Sequence, residues 1–196
     1  MSTREKILDS ALALFNEKGI SAISTNHIAA AIGISPGNLY YHFRNKEDII
    51  EALFERLFEM WDKTYQLPAG RAPGLVDFEN LIAANFHLIW EFRFAYRQMA
   101  ALFRNHPNLH ARYQELRTRG YAGFLNLIEA FAEAGVIAMP ETPQEMHALT
   151  DLCWIVSEQW PVDLELRGRS FDEAGIQSGI MVMRHIFRPY MTRPKG

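Results

Sequence analysis

Cysteine occurs once in 196 residues, at Cys153, so the chain can form no intrachain disulfide framework; between Leu152 and Trp154 it is expected to be a buried small hydrophobe rather than a nucleophile. Long apolar runs are missing too: nothing approaches the about 18 uninterrupted residues of a membrane-spanning helix. The opening stretch MSTREKILDSALALF mixes charges into its apolar pattern, so no targeting segment is expected and the cytoplasm is the expected location. There is no phosphate-cradling glycine loop, no paired-cysteine motif and no nucleophile elbow. His106 and His110 stand four apart, as helical metal ligands can, but Pro107 follows the first and no acidic residue lies between them as a general base would. No catalytic residue, metal site or cofactor is therefore expected. Charge is absent in one place above all: from Gly19 to Phe43 there is no Asp, Glu, Lys or Arg, in a chain whose net charge is −3.

What fills that gap is a pattern of caps and apolar anchors. Thr25 can start a helix that runs through Ile28, Ala29 and Ile32, with Gly33 free to take the left-handed conformation that ends it. Ser35 offers a second cap, and Pro36 fits the first helical position, where its missing N–H has no intrahelical partner to lose. Leu39 and Phe43 lie four apart and anchor one face of this short helix, leaving Gly37, Asn38, Tyr40, Tyr41 and His42 on the outward side. Asn45 can cap the next helix with Asp48 reaching back, while Lys46 at that N-terminus opposes the helix dipole and so asks for a nearby anion. A helix, a tight turn and a short second helix carrying hydrogen bonders suit the major groove of DNA.

These residues, Ile28-Ala29, Gly33, Ser35, Leu39-Tyr40, His42-Phe43 and Lys46-Glu47, closely resemble the DNA-binding part of the TetR family of bacterial transcriptional regulators. The resemblance covers about the first quarter of the chain and implies an all-α protein. Residues 1–46 are expected to form a three-helix helix-turn-helix DNA-binding domain, and 47–196 a larger helical effector-binding and dimerisation domain. It implies a homodimeric repressor released from a palindromic operator by a small, apolar or aromatic effector. Gly37, Asn38 and Tyr40 are expected near base edges, where asparagine can read adenine and an aromatic ring can touch a thymine methyl. Thr25, Ser35, Tyr41, His42 and Lys46 are expected to clamp phosphates. Neutral donors can hold phosphate, and Arg4, Lys6, Arg44 and Lys46 supply charge only at the edges of the neutral segment, so a modest salt dependence is expected.

The remainder reads as helix after helix. Ser2 and Glu5 have capping-box spacing ahead of the stripe Ile7, Leu8, Ala11, Leu12, Phe15, which ends before Gly19. Ile49, Ile50, Leu53, Phe54, Leu57, Phe58 and Trp61 extend a long helix whose acidic row, Glu47, Glu51, Glu55 and Glu59, reads as a solvated face. That helix should stop near Leu67, before a loop punctuated by Pro68, Gly70, Pro73 and Gly74, and the next should begin around Asp77. From Phe78 through Leu81, Ile82, Phe86 and Ile89 the apolar pattern continues until Pro107, and Leu109 to Phe131 forms another long helix closed at Gly135. Two more helices should start at Thr142 and at Ser170, each with capping-box spacing, and Pro161 should kink or split the first.

In the last helix Gly175 and Gly179 make a small-residue notch beside Met183. Either it packs inside the subunit or it meets a second copy, with the last two helices of each chain forming a four-helix bundle; the resemblance favours the second. Trp61, Tyr65, Phe86, Trp90, Phe94, Tyr96, Met99, Phe103, Tyr113 and Phe124 supply more aromatic surface than a spacer needs. All of these but Phe94 are candidates for lining an effector cavity, with ordinary core packing as the alternative, and His87, Arg93 and Arg97 could orient an acidic or hydrogen-bonding effector. Two other classes stay in view: a protein-interaction module that kept this fold without binding an operator, and an enzyme, which has no chemistry to point to.

Overall fold

Ser2 opens the first helix with both halves of a capping box, its Oγ accepting from the Glu5 N–H and the Glu5 carboxylate accepting from the Ser2 N–H. In the computed structural model, which describes residues 1–192, this helix α1 spans Thr3–Lys18. Gly19 ends it with a φ of 78°. Then follow α2 (Thr25–Ala31), α3 (Pro36–His42), α4 (Lys46–Thr64), α5 (Leu75–Glu91), α6 (Arg93–Asn105), α7 (Pro107–Glu133), α8 (Pro143–Leu166) and α9 (Glu173–Phe187). A 3-10 turn, Arg188–Tyr190, follows, and an isolated bridge pairs Ile137 with Met191. The expected apolar stripes are buried: Ile7, Leu8, Ala11, Leu12 and Phe15 on α1, and Ile49 through Trp61 on α4. No helix among the described residues is long and apolar enough to cross a membrane.

Helices α1 to α3 pack into a small head, and α5 to α9 pack into a body, with α4 touching α1 on one side and α5 and α7 on the other. Along α4 the acidic row is exposed, but Glu51 lies 3.8 Å from the His106 imidazole at the α6–α7 corner and Glu55 3.5 Å from the Arg112 guanidinium of α7. His110 stacks on Phe103 instead, with ring centroids 5.2 Å apart.

Several boundaries differ from the sequence expectation, each for a local reason. The cap of α2 is Ser24, whose Oγ accepts from the His27 N–H; Thr25 is the first helical residue and its hydroxyl is free for another partner. The cap of α9 is Asp172 rather than Ser170, its carboxylate accepting from the Gly175 N–H. At the starts of α4 and α8 the acidic N3 side chain overshoots the capping residue: Asp48 accepts from the Arg44 N–H and Glu145 from the Glu141 N–H. Helix α4 ends at Thr64 and α5 begins at Leu75, where Asp77 closes the turn by accepting from the Gly74 N–H. The apolar run expected to continue to Pro107 breaks at the fully buried Phe92. The corner is held by Asn16 of α1, whose amide donates to the Glu91 carbonyl at 2.7 Å and accepts from the Phe94 N–H at 3.0 Å. Pro161 does not split α8, which runs unbroken from Pro143 to Leu166; α5, α6 and α9 all pack against it and hold its course past the missing hydrogen bond.

Candidate nucleic-acid interface and effector cavity

The outer face of α3 is built by two buried anchors. Leu39 and Phe43 are buried, so Ser35, Gly37, Asn38, Tyr40 and Tyr41 are exposed, with Tyr41 85% exposed. The turn into α3 depends on Gly33, whose φ of 68° admits few side chains, and Ser35 caps α3 by accepting from the Asn38 N–H. Thr25 and Tyr40, both expected on the DNA side, meet: their hydroxyl oxygens are 3.1 Å apart and tie α2 to α3. His42 is half-buried with its ring edge-on to Tyr41.

The cations at the rim are less free than the sequence suggested. Lys46 donates to the carbonyls of Ile20 and Ile23, both at 3.0 Å, so the α1–α2 loop meets part of the demand for an acceptor. Arg44 is bonded twice to Asp48, whose carboxyl is held below the usual carboxylate range mainly by that guanidinium. Arg4 lies over the Phe43 ring at 5.1 Å. Ser24, Thr25, Tyr40, Arg44, Asn45 and Lys46, with Ala22 and Ile23, border an open hollow beside α3.

A cavity of about 310 Å³ lies between α4, α5, α7, α8 and α9. Of the residues expected to line it, Trp61, Tyr65 and Phe124 do so. The others are placed elsewhere by packing. Phe86 is fully buried against Trp160 and Gly179, Trp90 sits 38% exposed beneath Arg93, and Phe103 stacks on His110 and tilts against Tyr113. Tyr96 is buried and its hydroxyl accepts from the Trp61 indole N–H, while Met99 packs half-buried against the core. Tyr113 stands behind the wall, its ring tilted against Trp61 and its hydroxyl donating to Glu158. Arg93 is engaged with Trp90, Arg97 with Glu165 and His87 is exposed, so none of the three faces the cavity.

The polar part of the cavity wall was not anticipated. Tyr65 is partly exposed along its ring, but its hydroxyl is buried, which pushes its pKa up, and donates to Asn85 at 2.6 Å. The Asn85 amide in turn donates to Ser157 Oγ at 2.9 Å. Glu158 is bound by Arg117 at 2.9 Å, and Arg119 faces Asp62 at 3.8 Å. Cys153 is another lining residue; burial pushes its thiol up to about 12, which keeps it protonated and inert at neutral pH. A signal existed for Asn85: it lies on the apolar stripe of α5, three after Ile82 and four before Ile89, where a polar side chain must find partners.

The glycine notch is filled from within the subunit. A Cβ on Gly179 would lie 2.4 Å from Phe86 Cε1 and 2.8 Å from Trp160 Nε1, and one on Gly175 would lie 2.9 Å from the Ser170 carbonyl. Met183 is buried and lines the cavity. Gly175, Gly179 and Met183 thus have packing partners within the subunit, as in the first of the two readings of the notch. On α8 and α9, exposed apolar side chains include Leu152 (49% exposed), Ile155 (55%) and Met181 (65%).

Family models match both parts of the chain: "Bacterial regulatory proteins, tetR family" over residues 7–53 and "Bacterial transcriptional repressor" over 56–195. A TetR-family transcriptional regulator from Marinobacter aquaeolei VT8 superposes with a TM-score of 0.88 at 36% identity, over 98% of this chain and 92% of that one. The chain is 29% identical over 99 residues to the probable HTH-type transcriptional regulator YttP of Bacillus subtilis, covering 50% of this chain and 47% of that protein. It is 27% identical over 118 residues to the biofilm operon icaADBC HTH-type negative transcriptional regulator IcaR of Staphylococcus aureus, covering 58% and 62%. The matches thus span less than two thirds of those two relatives. Two abutting models, one solved neighbour aligned almost end to end, and a capped helix pair with a bared second helix agree: the chain belongs to the TetR family of bacterial regulatory proteins.

Proposed function

We propose that this protein is a homodimeric transcriptional repressor that leaves a twofold-symmetric operator when a small, largely apolar molecule enters the cavity. The division at 46/47, head for DNA and body for effector and partner, belongs to this reading. The observation that carries it is α4. Its first residue, Lys46, borders the hollow beside α3, and Trp61, Asp62 and Tyr65 at its other end form part of the cavity wall. Nineteen residues make a rod of about 28 Å. A ligand that prefers one setting of the Trp61 end biases the setting of the Lys46 end, and its effect on DNA affinity equals its differential binding to the two settings.

On DNA, Gly37, Asn38 and Tyr40 face base edges while Thr25, Ser35, Tyr41, His42 and Lys46 hold the backbone. One such helix reads only a few base pairs, so specificity requires two. The uncovered face of α8 supports that pairing: Ala148, Leu152, Ile155, Gln159, Val162 and Leu166 follow one another at alternating four- and three-residue steps, the spacing of a helix-packing seam. Met181 of α9 is a further exposed apolar side chain. The test uses a duplex recovered from a random pool. Leu152→Glu with Ile155→Glu should give a folded monomer with at least about 100-fold weaker binding, and Tyr41→Phe with Lys46→Ala should give a dimer that no longer binds. A dimer unaffected by the first pair, or unchanged DNA affinity with the second, contradicts the reading.

A further inference from the structure

The cavity wall also constrains the chemistry of its occupant. We infer that it takes an uncharged, mainly aromatic molecule presenting a hydrogen-bond acceptor to Ser157; this rests on the reading of the cavity as the effector site. Charge is excluded by pairing. Glu158 lines the cavity, but Arg117 bonds both of its oxygens, at 2.9 and 3.0 Å, and the Tyr113 hydroxyl donates to one of them. Asp62 at the margin faces Arg119. Among the described residues every lining carboxylate faces a cation and every lining cation a carboxylate, so a charged guest meets no unpaired counter-ion.

The direction of the hydrogen-bond relay sets the polarity of the guest. The Tyr65 O–H donates to Asn85 Oδ1, which turns the Asn85 amide nitrogen toward Ser157, where it donates to Oγ. Ser157 is thereby used as an acceptor, and among the described residues its own hydroxyl hydrogen has no acceptor. The relay ends in a donor at the cavity surface, and a carbonyl or ether oxygen completes it. Around that point Trp61, Trp154, Phe78, Phe124 and Phe131 provide ring surface, with Trp61 and Trp154 edge to face at 5.6 Å. The volume is at the lower end of the about 300–1,000 Å³ of small-molecule sites, which suits a fused two-ring skeleton.

Four naphthalene probes of similar size separate the possibilities: methyl naphthyl ketone, ethylnaphthalene, naphthoate and naphthylmethylammonium. Binding is read by quenching of tryptophan emission, which Trp61 and Trp154 report, and by the shift in melting temperature. The ketone should bind about tenfold more tightly than ethylnaphthalene, the value of one well-made neutral hydrogen bond, and both ions more weakly than either. Ser157→Ala should narrow the ketone's advantage to about twofold, while Ser157→Thr, which keeps the hydroxyl, should preserve it. Tightest binding by either ion, no advantage for the ketone in the wild-type protein, or an advantage that survives Ser157→Ala overturns the proposed chemistry while leaving the effector site standing. Failure of all four to bind overturns the effector site and this inference together.

Discussion

Thr25 and Tyr40 join α2 to α3 through hydroxyl oxygens 3.1 Å apart. The bond is exposed, so Tyr40→Phe should cost no more than about 1 kcal/mol in denaturant unfolding. Affinity for a selected duplex should also fall, by about three- to tenfold, because the same hydroxyl is lost from the face proposed to meet the bases. Equal binding by the two proteins in an anisotropy titration would remove Tyr40 from the readout.

Gly179 and Gly123 should respond to alanine with opposite signs. At Gly179 the added methyl would meet the fully buried Phe86 ring at 2.4 Å, which is overpacking costing about 1–3 kcal/mol and outweighs the better helix propensity. At Gly123 no atom lies within 4 Å of the new Cβ, and alanine should stabilise by about 0.5–1 kcal/mol. Thermal melts of the two variants check both signs.

Asn16 should behave as a joint between head and body. Asn16→Leu removes the bonds to the Glu91 carbonyl and the Phe94 N–H at the α5–α6 corner and leaves both backbone groups without their partner, at a cost of about 2–4 kcal/mol. Hydrogen exchange should show the loss first at the Phe94 amide. An unchanged protection factor there would mean that the corner holds without Asn16.

Asp77 should titrate far below an ordinary aspartate. Bonds from Arg71, first, and from the Gly74 N–H hold its pKa at about 2 against an ordinary 3.8, so its carboxylate favours the folded state above the ordinary value and loses that effect as pH falls through about 2. NMR of the side-chain carboxyl should place the midpoint near 2 and move it up in Arg71→Ala. A midpoint near 4 in the wild-type protein would show that the Arg71 pair does not persist in solution.

The head was legible because local rules decide it. Ser35, Pro36, Leu39 and Phe43 state a cap, a first turn and two anchors within a few residues, and nothing distant overrides them. The cavity was only partly legible. Aromatic residues at helical spacing announce burial, but whether Phe86 faces a void or Gly179 depends on how α5 meets α9, which no local pattern encodes. The glycine notch was ambiguous for the same reason: it declares a close approach without naming the partner, and within the subunit Phe86 and Trp160 lie against it. Asn16 and Asn85 carried a usable signal, an amide on a buried helical stripe, whose partners only the tertiary structure supplies.

The account rests most heavily on two copies of α3 reading DNA together. Repeated selection of duplexes from a random pool by the intact protein tests this directly. The account predicts a consensus of two inverted half-sites at fixed spacing, lost when Asn38→Ala and Tyr40→Ala are combined. A pool that fails to enrich, or a consensus with a single asymmetric site, would contradict it.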